Sequence, residues 1–143
     1  MAIDSTTSSN PLAKSGAAGR YTPHALALLR IVVSYLFILH GCMKVFHVPH
    51  DAAYDSVTLL SLAGIAGVIE LLGGVFVLIG WKTRPVAFVL SGEMAVAYFL
   101  VHANRGSALI PMLNAGEPAV LYCFAFLVLA AAGGGAWSVD GSR

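Results

Sequence analysis

The sequence predicts an all-α membrane protein, a four-transmembrane-helix up-and-down bundle. Hydrophobic residues make up 58% of the 143 residues and charged residues 10%, whereas soluble domains are about half apolar and a quarter charged. The mean hydropathy is +0.82. A hydrocarbon core about 30 Å thick needs about 20 apolar helical residues to cross it, and four stretches meet this length. The predicted spans are residues 25–43, 57–80, 85–103 and 118–136.

The residues before the first span predict a tail without regular structure. Residues 1–23 are rich in Ser, Thr, Gly and Ala and lack the apolar segment of a signal peptide, so a disordered cytoplasmic tail is expected and not a cleaved signal. The predicted domains are this tail, a transmembrane domain over 24–137 and a short cytoplasmic tail over 138–143.

Proline and glycine mark the ends of the predicted spans. Pro23, Pro85 and Pro118 stand where a helix is expected to begin, because proline is favoured in the first turn. The run from Gly133 to Gly135 is expected to end the fourth helix.

Basic and aromatic residues predict the orientation. Cytoplasmic loops carry the excess of Lys and Arg, and five such residues against two place both termini inside. Trp81, Trp137 and Tyr21 then lie at the inner interface, and Tyr54 and Tyr122 near the outer one. The five residues inside are Lys14, Arg20, Lys82, Arg84 and Arg143; the two outside are Lys44 and Arg105.

Several function classes are excluded by composition and motifs. A net charge of +1 with no basic run argues against a nucleic-acid partner. The chain has no phosphate-binding glycine loop, no CxxC, no HExxH and no zinc spacing, so no metal ligands are assigned. Cys42 and Cys123 are expected to be free thiols, although the outer compartment would permit a disulfide.

Two charges inside the first two spans predict a structural ion pair. Ala63, Gly67, Glu70 and Gly74 share one helical face, so Glu70 should point at a neighbouring helix. Both Glu70 and Arg30 are expected in the inner half of the bundle, which makes Arg30 the predicted partner. A proton relay through Glu70 is the alternative.

The outer half of the bundle carries further polar groups. His40 and Lys44 are i, i+4 neighbours at the end of the first span, where Lys44 either joins a site or extends to the headgroups. Glu93 and His102 are nine residues apart, about half a turn out of phase on a straight helix. Either Gly92 bends this helix, or the two side chains have separate environments. Glu93 is then either a neutral carboxyl that forms a hydrogen bond or part of a proton path. His102 is either a polar cap at the membrane interface or a residue of the site.

The chain as a whole resembles the DoxX family of small four-helix bacterial membrane proteins. The similarity runs from about Leu28 to Asp140, through "LRIVVSYLFILHGCMKVF", "GVIELLGGVFVLIGWKTRPVA", "SGEMAVAYFLVHANRG" and "NAGEPAVLYCFAFLVLAAAGGGAWSVD". The resemblance implies an inner-membrane oxidoreductase; related subunits take part in thiosulfate oxidation coupled to quinone reduction, and others in thiol and superoxide handling. The family pattern falls on Arg30, His40, Gly41, Lys44, Glu70, Gly74, Gly80 and Arg84, and in one subgroup also on Glu93, His102, Asn114 and Glu117.

The first functional hypothesis is therefore an oxidoreductase subunit that acts on quinone or quinol in the outer half of the bundle. Such a site needs an apolar slot, hydrogen-bond donors for the ring oxygens and a proton route. The expected catalytic residues are Glu93, His102 and His40, and the expected substrate-binding residues are Lys44, Asn114 and Glu117.

Other hypotheses stay open, since no motif identifies a cofactor. Two histidines on different helices would also suit a haem or a metal. The second function class is a non-catalytic membrane module that scaffolds a partner redox enzyme, or carries a small amphipathic solute. Either function is compatible with a homo-oligomer, and the lipid bilayer is the one partner that composition itself predicts.

Overall fold

The computed structural model describes residues 17–141 and confirms the all-helical prediction. Four α-helices form the bundle, and no strand occurs among the described residues. The α-helices are α1 (Ala17–Phe46), α2 (Leu62–Ile79), α3 (Thr83–Ala97) and α4 (Glu117–Ala132). Short helical turns cover Ala52–Tyr54, Tyr98–His102, Ala103–Arg105 and Pro111–Asn114; that over Tyr98–His102 is a π-helix and the others are 3₁₀.

Three helical segments are long and apolar enough to span a membrane: Gly19–Phe46, Leu62–Ile79 and Thr83–Arg105. The fourth, Glu117–Ala132, is apolar but has only 16 residues. At 1.5 Å per residue it is about 24 Å long, which is shorter than a hydrocarbon core of about 30 Å. The protein is therefore a membrane protein with three long spans and a shorter fourth helix.

The first helix starts earlier than the sequence predicts. It begins at Ala17, so residues 17–23 are helical and Pro23 lies inside the helix; residues 1–16 of the predicted tail lie outside the described residues. Proline removes one backbone donor, and membrane helices tolerate this loss where neighbouring groups compensate. Separately, the carbonyl of Pro23 accepts a hydrogen bond from Ala136 N at 2.8 Å, which ties α1 to the chain after α4.

The helices alternate in direction, which gives an up-and-down bundle with two distinct ends. We call the end where α1 and α3 begin and where α2 and α4 end the terminal end. The opposite end, where α1 and α3 end and where α2 and α4 begin, is the loop end. Residues beyond α4 fold back onto the terminal end, where Val139 N donates to Ile79 O at 3.1 Å. The Asp140 carboxylate caps α3 by accepting from Lys82 N at 2.8 Å and Thr83 N at 2.7 Å. Of the predicted C-terminal tail, only residues 142–143 lie outside the described residues.

Small residues let α1 and α2 pack closely, as the predicted stripe on the second span requires. A Cβ added to Gly41 would lie 2.7 Å from Leu71 N and 2.8 Å from Gly67 O. A Cβ on Gly74 would lie 2.7 Å from the Ile38 side chain. Apolar side chains fill the centre of the bundle, with the largest fully buried ones being Phe37, Phe126, Leu90, Leu129 and Val77.

Arg30 fastens the terminal end of the bundle. Its guanidinium is buried, with 1% of the residue exposed, and each of its three nitrogens donates to backbone carbonyls. The acceptors are Val77 O (3.1 Å) and Leu78 O on α2, and Gly134 O (2.8 Å), Ala136 O (3.3 Å) and Trp137 O (2.9 Å) after α4. Val77 and Leu78 belong to the last turn of α2, so Arg30 caps the C-terminal end of α2 and joins it to the chain after α4.

The predicted pair between Arg30 and Glu70 is therefore wrong. The Arg30 guanidinium binds α2 at the height of Leu78. Leu78 comes eight residues after Glu70, and eight residues correspond to about 12 Å along the helix axis. Lys44 lies opposite Gly67 instead, since a Cβ at Gly67 would meet the Lys44 side chain at 2.6 Å. Helical periodicity predicted the face of Glu70 correctly, but it did not give the axial register between α1 and α2.

Candidate functional site

A polar cavity of about 140 Å³ lies in the loop-end half of the bundle. All four helical segments contribute to it, together with the connection between α1 and α2. Its lining combines ionisable and phenolic groups with an apolar wall: His40, Lys44, Tyr54, Glu70, His102 and Tyr122, with Phe37, Met94, Ala97, Ala115, Pro118 and Ala119. Three of the residues predicted for the site, His40, Lys44 and His102, are thus brought together.

An ion pair forms one side of the cavity. Lys44 Nζ donates to Glu70 Oε1 at 2.5 Å. Glu70 is only 1% exposed, and its second oxygen has no hydrogen-bond partner among the described residues. Pairing with an ammonium compensates the cost of a buried carboxylate, so Lys44 is a partner of Glu70 here, and not a side chain that extends to the headgroups.

The π-helix at Tyr98–His102 brings His102 to the cavity. Met94 and Ala97 line the cavity from α3, and a continuous α-helix would place Val101 next on that face. A π-turn closes over one more residue than an α-turn, so His102 takes this position, while Val101 is 38% exposed. The π-turn therefore changes the phase of His102 relative to Glu93 on this helix.

The hydrogen bond of His102 fixes the form of its ring. Nδ1 lies 3.2 Å from Asn114 O. A carbonyl oxygen only accepts hydrogen bonds, so Nδ1 carries the hydrogen. In the neutral ring, Nε2 is then left as an acceptor, which is the form that a general base requires.

Two tyrosines complete the polar lining, although the sequence placed them only as interfacial rings. Tyr122 makes an edge contact with His40, with ring centroids 5.7 Å apart. Tyr54 comes from the α1–α2 connection, where Asp51 Oδ1 accepts from Ala53 N at 2.9 Å and caps a short turn. Burial, aided by the negative charges of Glu70 and Asp51, raises the pKa of the Tyr54 phenol. Tyr54 therefore stays a neutral hydroxyl donor at physiological pH.

Glu93 is not among the residues that line the cavity, and its carboxyl group has an unusual environment. Both carboxyl oxygens are buried, and neither has a hydrogen-bond partner among the described residues. It is close enough to Glu70 and Lys44 to interact electrostatically, but Lys44 already pairs with Glu70. A buried carboxylate without donors is very unfavourable, so Glu93 is stable here as a neutral acid that holds a proton.

The two predicted substrate-binding residues near the start of α4 do not line the cavity. Asn114 is buried, and its amide donates to Tyr98 Oη at 3.2 Å and to Ser107 O at 3.0 Å while its oxygen accepts from Gly116 N at 2.9 Å. All of its groups are thus used to fold the connection before α4. Glu117 is exposed at the first position of α4 and is not among the residues that line the cavity.

The arrangement suits a small organic ligand better than a haem or a metal. Among residues 17–141, no three His, Cys, Asp or Glu side chains come close enough to hold a metal ion. The cavity volume of about 140 Å³ is below the usual range of ligand pockets, about 300–1,000 Å³, and matches a small ring more closely than a haem. Cys42 and Cys123 are free thiols in the structure.

Comparison with known proteins identifies the family of the chain. The model of the DoxX family matches residues 25–103. An uncharacterized protein of Haemophilus influenzae strain Rd is 43% identical over 128 residues, which cover 85% of this chain and 92% of that protein. No solved structure gives a significant match. Because the family model matches more than half of the chain and the relative is 43% identical, the chain belongs to the DoxX family.

Proposed function

We propose that the protein is a membrane oxidoreductase subunit that binds the ring of a quinone or quinol in this cavity. The observation that carries the proposal is the convergence of two imidazoles, an ammonium and two phenols on one cavity inside an apolar bundle. Such groups are costly at membrane depth and usually mark a substrate or proton path.

The size of the cavity favours a ligand with a single ring. A cavity of about 150 Å³ is known to hold benzene, and the cavity here is about 140 Å³. A benzoquinone ring matches this volume, whereas a two-ring naphthoquinone exceeds it. Met94, Phe37 and Ala119 supply the apolar surface that such a ring needs.

The polar lining suits the proton chemistry of a quinol. Oxidation of a quinol releases two electrons and two protons, and each ring oxygen needs a hydrogen-bonding partner throughout. His102 Nε2 is an acceptor for one hydroxyl proton, and the Lys44 ammonium and the phenols are donors to ring oxygens. In the reverse direction, Glu93 is the proposed proton store for the ring, since its carboxyl group is buried within electrostatic range of the ion pair. The two electrons are exchanged with a partner redox enzyme, which is part of the proposal.

The orientation predicted from the basic residues is also part of the proposal. Arg20, Lys82 and Arg84 lie at the terminal end of the bundle, and Lys44 and Arg105 lie towards the loop end. With the positive end in the cytoplasm, both termini are cytoplasmic in a bacterial inner membrane. The cavity then lies in the outer half of the membrane.

Calorimetric titration of the purified protein with a short-tailed benzoquinone tests the proposal. We expect one ring to bind per chain, and His102→Ala to weaken binding about tenfold or more, because a hydrogen bond of about 1.4 kcal/mol corresponds to a factor of ten. His50→Ala is the matched control, since His50 is exposed in the α1–α2 connection. A naphthoquinone with the same tail should bind more weakly.

Absence of quinone binding in the folded wild-type protein would contradict the proposal. The favoured function would then be a non-catalytic module that scaffolds a redox enzyme or carries a small amphipathic solute. In that case the cavity groups would stabilise the bundle, and their substitution would lower the melting temperature without changing any ligand affinity.

A further inference from the structure

The connection between α3 and α4 has the surface of a membrane-embedded segment. Residues 106–116 contain no charged side chain. Four of their large apolar side chains face outwards: Leu109 (92% exposed), Met112 (76%), Leu113 (68%) and Ile110 (46%). Contiguous apolar surface of this kind is rare on parts of a protein that face water.

Several backbone groups of this connection are hydrogen-bonded within the protein, which favours lipid contact. Within it, Ile110 N donates to Ser107 O at 3.1 Å, Leu113 N to Ile110 O at 3.0 Å and Gly116 N to Pro111 O at 3.0 Å. Irregular backbone is tolerated near lipid only where its polar groups have partners in the protein.

Side chains of the bundle satisfy further carbonyls of the connection. Tyr98 Oη donates to Ala108 O at 2.7 Å, and His102 Nδ1 donates to Asn114 O. The apolar side chains thus face outwards, while several peptide groups of the connection bond to the protein.

The length of the adjoining helix places the connection at membrane depth. Because α4 has 16 residues, it spans about 24 Å of a hydrocarbon core of about 30 Å. The chain just before α4 therefore remains near the boundary between acyl chains and headgroups. The apolar side chains of the connection continue the lipid-facing surface of the helices, where Leu121 and Phe124 are exposed.

From these three observations we propose that residues 106–116 lie in the leaflet at the loop end, with Leu109 and Met112 inserted among the acyl chains. Apolar side chains of interfacial segments reach about 5–10 Å into this boundary. The connection is thus a lipid-binding surface, and it does not project into water. It also places lipid beside Ala115 and Pro118, which line the cavity.

Tryptophan fluorescence in vesicles tests the insertion. Trp81 and Trp137 are replaced by Phe, and a single indole is introduced by Leu109→Trp or Met112→Trp; both positions are exposed, so folding should be retained. Ala53→Trp is the control, since Ala53 is exposed at the same end between Asp51 and Asp55. The vesicles contain phosphatidylcholine brominated on the acyl chains, and iodide is the aqueous quencher.

We expect the indoles of L109W and M112W to lose most of their emission to the brominated lipid and to resist iodide, with the opposite result for A53W. Quenching of L109W and M112W by iodide alone would place the connection in water and overturn the proposal. Protection from both quenchers would also overturn it, because the segment would then be covered by a second copy of the chain.

Discussion

Removing the Lys44 cation should destabilise the bundle by leaving Glu70 buried without its partner. The pair is 2.5 Å apart, and Glu70 is 1% exposed. The Lys44→Met variant keeps a long apolar side chain, so that mainly the charge is lost. Breaking a buried pair costs about 3–5 kcal/mol, because the remaining charge is uncompensated.

Protonation of Glu70 sets an upper limit to this loss. Protonating an ordinary glutamate, with a pKa of about 4.3, costs about 4 kcal/mol at pH 7 and about 1 kcal/mol at pH 5. In the folded K44M variant, the Glu70 carboxyl is protonated. In the unfolded chain, Glu70 stays ionised until the pH falls to its ordinary pKa. The destabilisation by K44M should therefore be largest at neutral pH and fall to about 1 kcal/mol near pH 5.

Thermal unfolding in detergent, followed by circular dichroism, measures the effect. A loss of about 4 kcal/mol corresponds to a fall in Tm of about 8–16 °C for a chain of roughly this size. Lys82→Met, at the exposed terminal end, is the matched control and should change Tm little. Adding Glu70→Gln to K44M should restore most of the stability, because a neutral pair needs no compensation.

Two results would refute this reasoning. One is a K44M variant whose Tm equals that of the wild type at pH 7. The other is rescue of an Arg30 variant by Glu70→Gln. Arg30 and Glu70 lie about 12 Å apart along the axis, so their effects should add within about 0.5 kcal/mol.

Three further predictions concern the packing and the terminal end. Gly41→Ala should lower Tm, because its Cβ would lie 2.7 Å from the Leu71 backbone nitrogen. In the control Gly92→Ala, the added Cβ meets nothing within 4 Å, so this variant should be neutral or stabilised by up to about 1 kcal/mol. Arg30→Lys should lower the free energy of unfolding by about 3 kcal/mol or more in chemical denaturation, because one ammonium cannot replace a guanidinium that donates to five carbonyls. A free energy of unfolding close to that of the wild type would show that these bonds contribute little. Asp140→Asn should cost about 1 kcal/mol through the weakened cap of α3, and hydrogen exchange at the start of α3 should speed up accordingly.

Composition and periodicity were sufficient for the architecture and for the faces of the helices. The prolines and glycines predicted where α4 begins and ends, since Pro118 lies in its first turn and Gly133 follows Ala132. Pro23 misled the prediction for α1, because a membrane helix tolerates proline inside it. The predicted faces of Glu70 and Lys44 agree with their positions in the bundle.

The site was only partly predictable, for three physical reasons. Periodicity gives the angle of a side chain around its helix but not its height against a neighbour, so Arg30 was paired with Glu70 in place of Lys44. A fixed step of 100° per residue cannot anticipate a π-turn, which moves His102 onto the cavity. Tyr54 enters from a connection, whose path no helical period describes; its signal is the Asp51 cap ahead of the short turn.

The central claim is that the cavity of His40, Lys44, Glu70 and His102 holds a one-ring quinone. Mass spectrometry of organic extracts from the protein, purified in mild detergent after expression in a ubiquinone-producing bacterium, tests it most directly. The proposal predicts stoichiometric benzoquinone in the wild type and in the Glu117→Gln control, and its loss from a folded His102→Ala variant. Equal trace amounts of quinone in all three proteins would contradict it.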